Sequence, residues 1–153
     1  MKYVNKKSIH KLAAVLLLVA TGFTAQAQDK VISETELPAS IRTYIKTHFA
    51  ENEVLQATID KGRFSTNYDV ILSKNITLEF DSKDKIEEIK GHNSKLPDSV
   101  IPKSILDYVK KNYPNNFITE WDLNKGKQKI ELDNGIDLEF TLKGRFLRKK
   151  KKK

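Results

Sequence analysis

Leu37-Pro38-Ala39-Ser40-Ile41-Arg42-Thr43-Tyr44-Ile45-Lys46 and Ile101-Pro102-Lys103-Ser104-Ile105-Leu106-Asp107-Tyr108-Val109-Lys110 are one pattern written twice. The offset between the copies holds from Leu37 as far as Gly62, which lands on Gly126. After a four-residue deletion in the second copy, Ile76-Thr77-Leu78-Glu79-Phe80 returns as Ile136-Asp137-Leu138-Glu139-Phe140. A repeat of this length implies two copies of one supersecondary unit.

Each copy starts with a helix. Proline suits a helix's first position, where its missing N–H has no partner to lose. Behind Pro38, Ile41, Tyr44, Ile45, His48 and Phe49 recur at helical spacing and make one apolar stripe. Behind Pro102, Ile105, Tyr108, Val109 and Tyr113 do the same until Pro114 stops the ladder. Strands follow. Val54 to Ile59 and Ile118 to Leu123 are short and β-rich, and each runs into a turn at Lys61-Gly62 or Lys125-Gly126. Tyr68, Val70 and Leu72 alternate with polar residues, as do Ile130 and Leu132. Asn134-Gly135 predicts a two-residue hairpin turn with both central residues at positive φ. Ile76, Leu78 and Phe80, like Ile136, Leu138 and Phe140, point inward. Further hairpins at Ser82-Lys83-Asp84 and Lys143-Gly144 lead to Ile86 and Ile89, and to Phe146.

Each unit is thus a helix followed by about four antiparallel strands. One helix cannot cover such a sheet. Two units side by side predict an α+β fold, two tandem helix-plus-antiparallel-sheet repeats in one two-layer domain with both helices on one sheet face. The expected organisation is a signal over residues 1–27, a leader over 28–36, repeat one over 37–90, repeat two over 96–147 and a basic tail over 148–153. The joint runs from Gly91 to Asp98.

The first 27 residues read as an export signal. Lys2, Lys6, Lys7 and Lys11 precede the apolar run Leu12 to Ala20, and Ala25-Gln26-Ala27 is a small-x-small cleavage site. The run is too short to span a hydrocarbon core of roughly 30 Å. No cysteine follows it to carry a lipid, and the chain has none at all. The expected location is the periplasm or the medium, with no transmembrane segment in the mature chain. Packing alone must hold the domain, without disulfides or thiolate metal sites.

The formal charge of +8 is misleading. Of 28 basic residues, four lie in the signal and six in Arg148 to Lys153, which leaves 18 against 20 acidic residues in the body. A nucleic-acid binder spreads its basic excess over a folded face, so nucleic acid is not an expected partner. The terminal run reads either as a solvated, disordered tail or as a salt-sensitive contact with anionic envelope surfaces.

Catalytic constellations are missing from the sequence. His48 sits on its helix's apolar stripe and is replaced by Asn112 in the second copy, while His92 falls in the joint. Neither has a second ligand at metal spacing, and no phosphate loop, nucleophile elbow or HExxH occurs. Glu79 and Glu139 occupy equivalent strands and could form a carboxylate pair for acid–base work, but their outward, polar positions read as solvated surface. No cofactor or metal is expected. Trp121 stands where the first copy has Ala57. It reads as core, with a partner-facing anchor as the alternative, since aromatic residues favour binding hot spots.

The order of these motifs resembles the PepSY-like family of exported bacterial proteins, whose fold is similar to that of the β-lactamase-inhibitor protein. The residues carrying the resemblance are Leu37-Pro38-x-x-Ile41, Tyr68-Asp69-Val70-x-Leu72 and Leu78-Glu79-Phe80-Asp81 in the first copy. The second supplies Ile101-Pro102-x-x-Ile105, Ile130-x-Leu132-x-x-Gly135 and Leu138-Glu139-Phe140-x-x-x-Gly144. Gln128 stands where the first copy has Tyr68, and Asp84 where the second has Gly144. The resemblance implies a non-catalytic binding domain, one that binds or restrains another envelope or extracellular protein. The expected contact is the helix-free sheet face with Asp69, Thr77, Glu79, Lys129, Glu131, Asp137 and Glu139, plus Trp121 in the anchor reading. The competing expectation is attachment to anionic surfaces through the basic tail.

Overall fold

The structure, a computed structural model, describes residues 29–62 and 65–151. The expected export signal with its cut after Ala27, and the last two lysines of the basic run, lie outside the described residues.

Helix α1 (Ala39–His48) and helix α2 (Lys103–Asn112) each begin one residue after their proline. Their stripes face inward, with Ile41, Ile45, Ile105 and Val109 all buried. Each helix closes on a bond from the following aromatic residue. The Phe49 N–H donates to the Ile45 carbonyl at 2.8 Å and the Tyr113 N–H to the Val109 carbonyl at 2.7 Å.

Among the described residues nine strands form one sheet in chain order, each antiparallel to the next. They are β1 (Lys30–Ile32), β2 (Val54–Lys61), β3 (Thr66–Leu72), β4 (Ile76–Phe80), β5 (Ile86–Lys90), β6 (Ile118–Asn124), β7 (Lys127–Leu132), β8 (Ile136–Thr141) and β9 (Phe146–Lys151). The two halves join where β5 pairs with β6, Ile89 opposite Trp121. A buried row then crosses the whole domain, from Val70 through Leu78, Ile89, Trp121 and Ile130 to Leu138. Paired residues point to one face, so this row defines a single inner side. Both helices lie on it. Tyr44 of α1 meets Phe80 edge-on at 5.6 Å, and Tyr108 of α2 meets Phe140 edge-on at 5.3 Å.

Four expectations are corrected. The leader is part of the sheet: β1 pairs with β2, and Ile32 is buried. Its equivalent in the second copy is the end of the joint, where the Leu96 N–H donates to the Ile118 carbonyl and Leu96 is buried. The basic tail is not a loose tail as far as Lys151. Arg148 to Lys151 continue β9 and pair with β8, because the Phe146 side of the strand is anchored on Tyr108 and Phe140. The hairpin at Asn134-Gly135 forms, but as a three-residue loop in which only Gly135 has positive φ, 73°. A type I turn followed by a left-handed glycine suits that loop length.

The fourth correction touches only the alternative reading of Trp121: the residue is core, as its default reading has it, 6% exposed, and is no partner-facing anchor. Its indole Nε1–H donates to Gln128 Oε1 at 3.0 Å. The Gln128 amide in turn donates to the carbonyls of Thr141 and Leu142. The first copy has Ala57 and Tyr68 at these two positions, so a small-plus-large pair has exchanged for a large-plus-polar one. Burying an indole N–H without an acceptor is unfavourable, and Gln128 is what makes Trp121 admissible.

Two outcomes are expected. Gln128→Leu should lower stability by about 1–3 kcal/mol in chemical denaturation, because it orphans the buried indole N–H and removes the donor to the Leu142 carbonyl, while Thr141 keeps the Gly144 N–H. A fragment of residues 29–93 should show no cooperative thermal transition, since it leaves Ile89 and the β5 edge open. A sharp transition would mean two independent domains.

Candidate functional site on the open sheet face

The face away from the helices carries two polar cross-strand rows. One runs Thr58, Asp69, Glu79, Glu88, Asp122, Lys129, Glu139, Arg148 from β2 to β9. The other runs Thr77, Lys90, Glu120, Glu131, Asp137, Lys150 from β4 to β9. All seven strand residues expected from alternation lie in these rows. Glu88, Lys90, Glu120, Asp122, Arg148 and Lys150 were missed.

The reason lies in two bulges. The pairing shifts between Glu79 and Phe80, and equally between Glu139 and Phe140. The shift lets Ile86 and Ile89, three apart, both face inward, which a regular strand forbids. That spacing was the available signal, and it places Glu88 outward beside Glu79. Asp122 was hidden by the bulge between Ile118 and Glu120, which turns both Ile118 and Thr119 inward.

The two halves treat the same glutamate oppositely. In the second, Glu139 faces Arg148, which donates from Nε and Nη2 at 2.7 and 2.9 Å. Lys150 adds a contact at 2.9 Å, and the Glu139 side chain is only 12% exposed. The hydrogen bonds from Arg148, then Lys150, hold its carboxyl down at about 2. In the first half Glu79 faces Glu88 instead. Its side chain is 45% exposed. The hydrogen bond shared with Glu88, then burial and the Glu88 charge, push Glu79 up to about 7. Burial also acts upward on Glu88, but its hydrogen bonds with Glu79 and Lys90 leave it net below the carboxylate range. The Lys90 ammonium contacts Glu88 and lies 3.5 Å from Glu79.

Four carboxylates therefore stand on four adjacent strands, Asp69, Glu79, Glu88 and Asp122, at strand spacings of roughly 4.8 Å. Burial raises the outer two first of all. The nearby Asp29 charge adds to it at Asp69, and the Glu88 charge at Asp122. Like charges directly opposite one another are destabilising, and in this row the Lys90 ammonium and the hydrogen bond between Glu79 and Glu88 oppose that repulsion. Beyond Asp122 the face turns basic, with Lys125, Lys127, Lys129, Arg148 and Lys150 around one shallow hollow.

Glu79 and Glu139 lie four strands apart and cannot work as one carboxylate pair. His48 and His92 are spent on local contacts. The His48 ring packs on Tyr44 with Nδ1 3.0 Å from Ser99 Oγ, and His92 Nε2 lies 3.2 Å from Thr77 Oγ1. Among the described residues no three His, Asp or Glu side chains converge on a point that could hold a metal ion. None of the described helices is long and apolar enough to cross a membrane.

The pH response follows from the signs. Glu79 has its folded pKa raised from 4.5 to about 7. Its stabilising proton is fully held below the unfolded value and lost as pH rises towards and past 7. Glu139 is depressed from 4.5 to about 2, so its contribution is present above 4.5 and lost as pH falls through 2. Denaturation midpoints of the native protein should decline between pH 5 and 8. Glu79→Gln should flatten that decline and leave the acid limb intact. An unchanged slope would show that Glu79 is not the titrating group.

Comparison with known proteins agrees with this architecture. A family model described as "Putative beta-lactamase-inhibitor-like, PepSY-like" matches twice, over residues 24–83 and 66–148. Three solved structures, each with a TM-score of 0.75, share the fold. The first is a "putative periplasmic protein" of the DUF2874 family from Bacteroides vulgatus ATCC 8482, 32% identical, covering 80% of this chain and 97% of its own. A "putative calcium-regulated periplasmic protein" from Bacteroides thetaiotaomicron is 30% identical and covers 80% and 96%. A "putative periplasmic protein of unknown function" from Bacteroides vulgatus ATCC 8482 is 34% identical and covers 80% and 99%. No curated protein matches the chain. Two overlapping family matches that together run over residues 24–148, and relatives at these identities, establish that the chain belongs to the PepSY-like family.

Proposed function

We propose that the protein is an exported, non-catalytic binding domain that captures another envelope or extracellular protein on its open sheet face. The periplasmic relatives and the signal pattern support the location. One observation carries the binding role: the row Asp69, Glu79, Glu88, Asp122 sets four carboxyl groups side by side on the surface, a repulsive arrangement in itself that Lys90 answers at Glu79 and Glu88. Natural proteins accept such strain where a site needs it. The second half shows what relieves it, because a guanidinium takes the Glu88 position there and satisfies Glu139. The fitting partner therefore presents arginine or lysine side chains to the row.

A flat row suits a protein surface better than a small molecule, which needs a concave and mostly apolar pocket. The B. thetaiotaomicron relative is named for calcium regulation. Calcium takes six to eight oxygens around one centre, and carboxylates strung along a row do not offer that here. The alternative of attachment by the basic run is weakened by β9, which commits Arg148 and Lys150 to Glu139 and stacks Lys149 over Tyr113.

Asp69→Lys combined with Asp122→Lys should abolish capture of a partner from envelope extract. It should leave the thermal midpoint unchanged or raised, because each new ammonium relieves a carboxylate neighbour. Capture by the native protein should fall with added salt as a rim-charge contact does. If capture survives this variant but is lost when Lys149 to Lys153 become glutamine, the basic edge is the binding surface instead.

A further inference from the structure

The repeat builds one more feature twice, a hollow between the turn before each helix, the helix itself and the first strand after it. In the first copy its walls are charged. Arg42 and Glu53 line it, and the Arg42 guanidinium reaches across to donate to the Thr35 carbonyl at 2.9 Å. In the second copy the equivalent positions are Leu106 and Phe117, and Ala50 has become Pro114. No arginine crosses this one. It is a cavity of about 230 Å³ over the buried side chains of Ile101, Val109 and Ile118.

Its mouth is polar on one side. Lys95 and Lys110 both point at Asp98, at 3.1 and 3.3 Å. Two ammonium groups share one carboxylate, so one positive charge is left over beside an apolar hollow. The Asp98 carboxyl is held low by Lys95 first and by Lys110 as well, consistent with a mouth that favours negative charge. Ligand pockets combine an apolar lining with a few placed polar groups, and charge-assisted bonds from ammonium to carboxylate are the strong kind.

We propose that this second-copy cavity is a binding site for a small amphiphilic carboxylate, an aliphatic or aromatic body with one anionic head. The body lies between Leu106, Pro114 and Phe117, and the head accepts hydrogen bonds from Lys95 and Lys110. The volume is under the ~300 Å³ at which drug-sized pockets start, so the body is short. This site lies away from the open sheet face and does not depend on the role assigned to that face.

Octanoate is the probe, titrated into the mature protein below micelle formation and followed by amide NMR shifts. Octan-1-ol and octylamine are the comparators. Saturable shifts are expected at the joint, α2 and the start of β6, with octylamine binding at least about tenfold more weakly, the scale of one lost charge-assisted contact. Leu106→Arg with Phe117→Glu restores the first copy's residues and should lose octanoate by about tenfold or more. Lys95→Gln with Lys110→Gln alters only exposed side chains and should bring octanoate down to the affinity of the alcohol. No saturable shift at this cavity overturns the proposal. So does octylamine matching octanoate, or a Lys95→Gln, Lys110→Gln variant that still prefers the carboxylate.

Discussion

The pairing of β5 with β6 is the contact on which the rest of the molecule depends. Three residue pairs make it: Glu88 with Asp122, Ile89 with Trp121, and Lys90 with Glu120. The middle pair points to the helices and fuses two half-cores into one, since neither helix alone can cover nine strands. The outer pairs point to water, and one of them, Glu88 with Asp122, brings carboxylates from different repeats side by side. Joining the repeats and concentrating negative charge are thus one event. Any sheet made continuous at this register carries Glu88 beside Asp122.

Duplication gives the molecule an internal control. Where both copies keep a residue, it serves the fold: the prolines before the helices, the stripes behind them, the Phe80 and Phe140 seats for Tyr44 and Tyr108. Where the copies differ, the shared backbone does not demand one particular residue. Trp121 with Gln128 in place of Ala57 with Tyr68 is a repacking with its own hydrogen bonds. Arg148 in place of Glu88, and Leu106 with Phe117 in place of Arg42 with Glu53, are not needed for packing, because the other copy folds without them. These last differences separate the two halves chemically while their backbones stay alike.

Much of this was legible in the sequence. Period-two alternation placed Asp69, Glu79, Lys129 and Glu139 on the outer face, and helical spacing placed Ile41, Ile45, Ile105 and Val109 on the inner one. What escaped was whatever depends on broken alternation or on distant pairing. A bulge shifts every later residue of a strand to the other face, so Glu88, Lys90 and Arg148 could not be assigned without noticing that Ile86 and Ile89 are three apart. The lysine run looked like a tail because lysine has little preference for strands. Phe146, stacked on Tyr108 at 4.6 Å, holds it in the sheet all the same.

An open meander has two unpaired borders, and each is a template on which a second chain can grow a sheet. The N-terminal border, β1, is only three residues long and offers few free backbone groups. The C-terminal border is twice that length and would be the dangerous one. It is also where Arg148, Lys149 and Lys150 follow one another along the strand. Two such borders meeting would set like charges against each other, a repulsion felt most at low ionic strength. Lysines along this border disfavour edge-to-edge growth, which matters in a chain that has no disulfides to hold it folded.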